Sequence, residues 1–336
     1  MVTLNLLDYS PIDEGATARD ALLQTVQLAK QAEQLGYRRF WVSEHHQVMS
    51  VAGSSPEMLM MHLASSTERI RIGSGGVMLP HYSPYKVAEN FRLLEAIHPN
   101  RIDLGIGRSP SFHQVNRALN ETKGKRLPYE QQIGDLQHYL SESPSPDHRF
   151  SGLTATPVID TAPELWLLGT GMGSAAIAAE YGTAFAFAHF GKPSGEGLEA
   201  VRLYREQFRP SPFLQRPKVT VAVFAVVAET AEEAEELATA FDLWLLMVES
   251  SNPPPYYPSV ETAKKRGFST IEKEKVAQNR KRMIIGTPLH VADEIRRLAG
   301  QYQADEVTVI PNVYGAGNRL TGTALLAEAM GLAALK

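Results

Sequence analysis

Apolar residues along the chain fall into short unbroken runs separated by longer stretches with helical spacing. Thr3–Leu7 is the first run, and from Ala18 to Leu35 apolar positions 22, 26, 29 and 32 predict a helix that Gly36 ends. Phe40–Ser43 predicts a buried strand, Pro56–Ser66 a helix with Pro in its first turn, and Ile70–Leu79 a Gly-rich strand. Ser83–Ile97 is helical and Arg101–Gly107 a fourth strand. The second half continues with helix Pro128–Leu140, a loop at Ser143–Pro146, strand Glu164–Leu168, helix Ser174–Tyr181, strand Ala184–Phe190 and helix Gly197–Phe208. Strand Val219–Val227, helices Ala231–Val248 and Leu289–Ala299, strand Glu306–Ile310 and helix Thr321–Leu335 complete the series.

Strands that read as continuous apolar runs are buried on both faces, and strict βα alternation implies parallel pairing with right-handed crossovers. Eight such units in 336 residues favour a closed (β/α)₈ TIM barrel, one domain spanning residues 1–336. One region breaks the rhythm: Ser250–Lys281 carries NPPPYYPS and then a charged stretch, too long and polar for a tight connection. It reads as a lid-like insertion before the last strand, or as a surface excursion without function.

Composition narrows the function. A hydrophobic share of 43%, a charged share of 21% and a net charge of −4 describe an ordinary globular chain without the basic excess of a nucleic-acid binder. The absence of Cys removes disulfides, thiolate catalysis and Cys-ligated metals. The N-terminus lacks the pattern of a signal peptide, and the longest apolar run, Val219–Ala228, is too short to span a bilayer, so a cytoplasmic location is expected.

Barrels place their chemistry at the C-terminal ends of the strands. Those ends carry Asp8-Tyr9-Ser10-Pro11, Ser43-Glu44-His45-His46, Gly73-Ser74-Gly75-Gly76, Gly105-Ile106-Gly107-Arg108, Gly169-Thr170-Gly171-Met172-Gly173-Ser174 and His189-Phe190-Gly191. Asp8 could face a ligand or cap a helix. If the second strand persists, Glu44 and His46 share one face and His45 takes the other; a mouth-facing imidazole suits proton transfer. Gly75 and Gly76 permit close approach of a ring or of another strand. Arg108 could meet an anionic ligand or make a structural ion pair. Gly171–Ser174 opens a helix with free N–H groups, suited to phosphate, though position 174 is Ser where a dinucleotide fingerprint has Gly.

Together these stretches resemble the bacterial luciferase-like flavin monooxygenase family over nearly the whole chain. The matching stretches are LLDYSP, AEQLGYRRFWVSEHH, SSPEM, ERIRIGSGGVMLPHYSPYKVAENFRLLEAIHPNRIDLGIGRSP, GTGMGSAAIAAEYG, IIGTP and ADEVTVI. The resemblance implies a (β/α)₈ barrel using FMN, as reduced FMN from a separate flavin reductase, with O2 and a small organic substrate. Oxygenation would run through a flavin hydroperoxide. The family's catalytic His matches His45, and its non-prolyl cis peptide matches Gly75–Gly76. Arg108 matches a residue near the flavin or its phosphate, and Gly171, Met172, Gly173 and Ser174 match the phosphate region, where relatives carry Glu-Ser and this chain has Thr170-Gly171. The insertion would exclude water, Tyr82, Phe112 and Phe190 would line the substrate pocket, and family members often form homodimers.

Three other readings stand beside it. A deazaflavin could replace FMN for hydride transfer, or the chain could bind flavin without turnover. A metal-dependent hydrolase would use His45, His46, His81 and His189, but the chain shows neither an HxH pair nor a bridging Lys.

Overall fold

The computed structural model describes residues 2–108, 111–121, 124, 127–141, 145–191, 196–250 and 253–334. The strands are β1 (Thr3–Asp8), β2 (Arg39–Val42), β3 (Arg71–Ser74), β4 (Val77–Met78), β5 (Ile102–Gly107), β6 (Glu164–Gly169), β7 (Ala184–Ala188), β8 (Val219–Val227), β9 (Met283–Gly286) and β10 (Glu306–Ile310). The helices are α1 (Ala18–Leu35), α2 (Pro56–Ser66), α3 (Pro84–Ile97), α4 (His113–Leu119), α5 (Tyr129–Leu140), α6 (Met172–Glu180), α7 (Glu196–Gln207), α8 (Ala231–Val248), α9 (Val260–Arg266), α10 (Thr270–Arg280), α11 (Pro288–Tyr302) and α12 (Ala316–Met330). All strand pairs are parallel, and β8–β10 pairing closes the sheet. The wall has the eight positions that the βα rhythm predicts, so the chain folds as a TIM barrel.

Two departures from the expected strands matter. The third wall position is broken into β3 and β4 by Gly75 and Gly76, which are joined by a cis peptide. A strand absent from the sequence reading, β9, pairs with the second half of β8 (Phe224↔Met283 to Val227↔Gly286), while the first half pairs with β10. The Ser250–Lys281 segment is not a structureless excursion: beyond its undescribed residues 251 and 252 it folds into α9 and α10. Ser109 and Pro110, beside Arg108, and Ser143 and Pro144 of the predicted loop also lie outside the described residues.

Alternation along the strands sorts side chains into two layers. Leu4, Leu6, Phe40, Val42, Ile72, Ile102 and Leu104 pack outward against the helices. Leu7, Tyr9, Trp41, Trp166, Ala184, Ala186, Ala222 and Phe224 form a second cluster inside the barrel. Trp41 and Trp166 meet edge to face at 5.4 Å, and small residues around them make the room. A Cβ at Gly73 would sit 2.5 Å from the Trp41 ring, and one at Gly75 2.8 Å from Leu7 Cδ1.

Beneath the tryptophans the barrel is closed by charge. Arg39 Nη1 reaches both Asp103 oxygens at 2.8 Å, Arg39 Nε reaches Glu306 at 2.7 Å, and Arg39 Nη2 reaches Glu164 at 2.9 Å. Arg71 also holds Asp103, and Lys218 bridges Glu164 and Glu306. Burial works against both the Arg39 guanidinium and the Asp103 carboxylate. Their mutual field prevails, holding Arg39 above and Asp103 below the usual range.

Helix α1 corrects the predicted stripe. Its buried residues include Ala21, Thr25, Leu28, Ala29, Ala32 and Glu33, with Leu22 and Val26 only half-buried. Thr25 Oγ1 donates to Asp8 at 2.6 Å, and Glu33 Oε1 accepts the N–H groups of Glu68, Arg69 and Ile70. The buried face thus combines Ala21, Leu28, Ala29 and Ala32, of which 29 and 32 were expected, with two polar residues held by hydrogen bonds. The expected helix stop holds, with Gly36 at φ 91.

Candidate active site at the barrel mouth

Beyond Val42 the second strand gives way to an irregular segment, Ser43–His45, that turns across the mouth. The His45 N–H donates to the Gly53 carbonyl at 2.8 Å, Ser43 Oγ lies 2.9 Å from His45 Nδ1, and the His45 ring meets Tyr9 edge-on at 4.9 Å. Burial, and secondarily the charge of His46, push the His45 pKa down to about 4, so His45 is a neutral imidazole at neutral pH.

The strand does not persist to Glu44, so its alternation does not apply, but Glu44 and His46 are in contact: His46 Nε2 lies 2.6 Å from Glu44 Oε1. The buried Glu44 carboxylate also accepts the Met78 N–H at 2.8 Å and the Tyr82 hydroxyl at 2.7 Å. Tyr82, expected in the pocket, is therefore committed to Glu44. Burial, then Glu44, push the Tyr82 phenol up.

The next wall positions bring the other predicted residues side by side. Met78 pairs with Gly107, Ile106 with Leu167, and Gly169 with Phe187. The Gly75–Gly76 segment, Arg108 at the end of β5 and the Gly171–Ser174 turn after β6 thus occupy consecutive stretches of one rim. Gly76 is small for a reason internal to the barrel, since a Cβ there would lie 2.7 Å from the Gly105 carbonyl oxygen. Of the two meanings open for the Gly tract, close approach of another strand accounts for Gly76.

Arg108 is exposed, and its field lowers the Tyr129 phenol against the larger upward push of burial. Gly171 is the N-cap of α6 in extended conformation, without a side-chain cap. The N–H groups of Met172, Gly173 and Ser174 open the helix, and a Cβ at Gly173 or Gly107 would meet nothing within 4 Å. This is a donor-rich surface with open space, the chemistry a phosphate requires. The residues present fit the phosphate of a flavin mononucleotide: backbone donors at the start of α6, open space beside Gly107 and Gly173, and one exposed cation.

Asp8 is buried and accepts from Thr25 of α1, in keeping with the helix-side alternative, and burial raises its pKa. Other expectations are corrected. The four imidazoles of the metal reading are taken up elsewhere: His45 by Ser43, His46 by Glu44, His81 Nε2 by Ser111 Oγ at 2.6 Å, and His189 Nδ1 by Tyr302 Oη at 3.0 Å. Among the described residues no group of three or more His, Asp or Glu is placed to hold a metal. Phe112 is largely exposed.

Of the aromatic wall on the far side, the sequence reading named Phe190 and missed Tyr9, Phe224, Trp244 and Tyr257. Tyr9 neighbours Phe224 (6.3 Å) and Trp244 (6.4 Å), Phe224 neighbours Phe190 (4.9 Å), and Trp244 stacks on Tyr257 (5.4 Å). The alternation of Asn5 and Leu7 on β1, continued by Tyr9 just past its end, was the available signal. Arg282, after α10, donates to the Phe190 carbonyl at 3.2 Å, binds Asn279 at 2.7 Å and pairs with Glu249. It pins the end of the insertion to the exits of β7 and α8.

Known proteins resemble this chain in sequence and in fold. The family model described as luciferase-like monooxygenase matches residues 6–304. An N-acetyl-S-alkylcysteine monooxygenase of Bacillus subtilis is 36% identical over 98% of both chains. The crystal structure of apo-MsnO8 superposes with a TM-score of 0.88 at 35% identity, covering 99% of each chain. A type II Baeyer–Villiger monooxygenase, the oxygenating constituent of 3,6-diketocamphane monooxygenase from a Pseudomonas putida plasmid, in complex with FMN, shares the fold. Its TM-score is 0.68 at 17% identity, covering 98% of each chain.

Proposed function

Because the chain belongs to the luciferase-like monooxygenase family, we propose that its mouth binds reduced FMN, delivered by a separate flavin reductase, and uses O2 to oxygenate a small organic substrate. One observation carries the reading: the segment after β2 that holds His45, the Gly75–Gly76 segment, Arg108 and the uncapped start of α6 lie on consecutive stretches of the rim. The fold's occurrence in an FMN complex supports the same cofactor.

The bound flavin would supply two electrons to O2; one oxygen atom enters the substrate and the other leaves as water, with two protons consumed. The Met172, Gly173 and Ser174 N–H groups and the α6 dipole hold the phosphate. Arg108 offers positive charge to the anion. His45, uncharged, accepts a proton from the reacting group through a ring nitrogen. Tyr9, Phe190 and Phe224 form an apolar wall for the organic substrate, while α9 and α10, held by Arg282, exclude water. The name of the Bacillus subtilis relative places a thioether with an apolar arm among the first substrates to try.

Rapid mixing of reduced FMN and protein with oxygenated buffer, followed by absorbance, tests the proposal. Flavin reoxidation slower than in free solution, and altered by His45→Gln, is expected. Reoxidation at the free-solution rate sinks the FMN–oxygen mechanism, and binding of a deazaflavin would then be measured.

A further inference from the structure

We propose that Glu44 is a positioning residue of this site, one carboxylate that both fixes the hydrogen of His46 on Nε2 and tethers the strand segment that follows Gly75–Gly76. The inference rests on the flavin reading for its functional consequence, but its geometry stands alone.

An ionised carboxylate only accepts hydrogen bonds. Three donors from three different stretches of chain converge on Glu44: Met78 N–H on Oε2 at 2.8 Å, and Tyr82 Oη and His46 Nε2 on Oε1 at 2.7 and 2.6 Å. With Met78 N–H and the Tyr82 hydroxyl donating to the same carboxyl, we assign the His46 hydrogen to Nε2, donating to Glu44 Oε1 across the 2.6 Å contact. The Met78 contact acts on a short lever, because only Val77 separates Met78 from Gly76. On its other side Met78 pairs with Gly107, so this rim segment is held between β5 and Glu44. Loss of Glu44 would leave the Met78 backbone held by β5 alone, while Gly75 keeps its bond to the Val42 carbonyl at 2.8 Å.

The surroundings exclude a merely peripheral role. Glu44 is buried, the His81 ring lies 6.1 Å from that of His46, and the Glu57 carboxyl is pushed up by burial and then by the charge of Glu44. His45, next in sequence, is turned to Ser43 and Tyr9 instead. The two imidazoles of the loop are thereby given different partners, one carboxylate-bound and one free of carboxylate contact among the described residues.

Glu44→Gln, Tyr82→Phe and His46→Gln test the proposal, with nitrogen NMR of the histidine rings in the cofactor-free protein and titration with reduced FMN. A glutamine at position 44 keeps one acceptor oxygen but turns an NH2 toward one of the donors. In Glu44→Gln the His46 signal is expected to leave the Nε2–H form, and the FMN dissociation constant to rise by about tenfold, the weight of one charge-assisted hydrogen bond. Tyr82→Phe should leave the tautomer unchanged and weaken FMN by less than about threefold. His46→Gln, whose amide N–H can meet the same oxygen, should retain FMN affinity while turnover falls. An unchanged His46 tautomer together with unchanged FMN affinity in Glu44→Gln overturns the proposal, and so does a change confined to melting temperature. If Glu44→Gln does not fold, Glu44→Asp, one methylene too short to reach all three donors, is read by the same criteria. If the wild type itself binds no FMN, the flavin reading fails, and the tautomer comparison still decides the role of Glu44.

Discussion

Replacing Arg39 with Met asks what the charged floor of the barrel contributes. The side chain is 1% exposed and engages Asp103, Glu306 and Glu164 at once. Removing one partner of a buried network typically costs about 3–5 kcal/mol, because charges are left uncompensated. Here the low end applies. Asp103 keeps Arg71 at 2.7 Å and the Trp41 Nε1–H at 2.9 Å, and Glu306 keeps Asn5 at 2.7 Å and Lys218 at 3.3 Å. Glu164 is a third exposed and adds little. With an unfolding entropy of about 2.1 cal/mol/K per residue, 336 residues give roughly 0.7 kcal/mol/K, so a loss of about 3 kcal/mol lowers Tm by about 4 °C. The pH dependence follows from the depressed pKa values of Asp103 and Glu306. A carboxyl with a lowered folded-state pKa contributes stability above its unfolded value of about 4, and that contribution is lost as pH falls through the folded value. Arg39→Met removes the cause of the depression, so its deficit is largest near neutrality and shrinks below about pH 4. Denaturant unfolding of both proteins at pH 7 and pH 4 measures this. A loss under about 1 kcal/mol that is the same at both pH values refutes the reasoning. Adding Glu306→Gln should recover part of the loss at pH 7, since it removes one stranded charge.

Other expectations concern the mouth and its supports. His45→Gln should reduce turnover by about 10²-fold and abolish an acid limb centred near pH 4 in the kcat profile, read from steady-state rates between pH 4 and 8. Between about pH 6.5 and 4 the unfolded chain binds a proton that folded His45 refuses, so wild-type stability should fall over that window, and His45→Gln should flatten it in denaturant titrations. Gly76→Ala drives a methyl to 2.7 Å from the Gly105 carbonyl and should cost about 1–3 kcal/mol in denaturant unfolding, with weakened FMN binding. Glu33→Ala strands the N–H groups of residues 68–70 and should destabilise by about 1–3 kcal/mol. Hydrogen exchange should show the loss at those amides.

The barrel was readable because burial on both faces writes each wall strand as an apolar run, as in Val219–Val227, and because the connecting helices carry their own period. β9 was not: MIIG is four residues long, follows a charged helix, and owes its strand conformation to the free second half of β8. In α1 the expected positions 29 and 32 are buried, but 22 and 26 are not, because Thr25 and Glu33 take part of that face for hydrogen bonds that hydrophobic spacing does not register. Strand ends located His45, Gly75, Gly76, Arg108 and Gly171–Ser174 on one rim, but not what each side chain touches. Arg39 and Glu306 meet across 267 positions of sequence, and Tyr82 reaches Glu44 across 38. Such partnerships arise only when the wall closes.

The three tryptophans divide the molecule into two optical reporters. Trp41 and Trp166 lie edge to face at the barrel centre, with the Arg39 guanidinium 5.0 Å from the Trp166 ring. Trp244 stacks on Tyr257 beside Tyr9, at the foot of the insertion. Emission from the first pair follows the integrity of the barrel, whereas Trp244 follows events at the mouth. With Trp244 replaced by Phe, fluorescence reports unfolding alone; the difference from wild type isolates movements of the insertion without any added label.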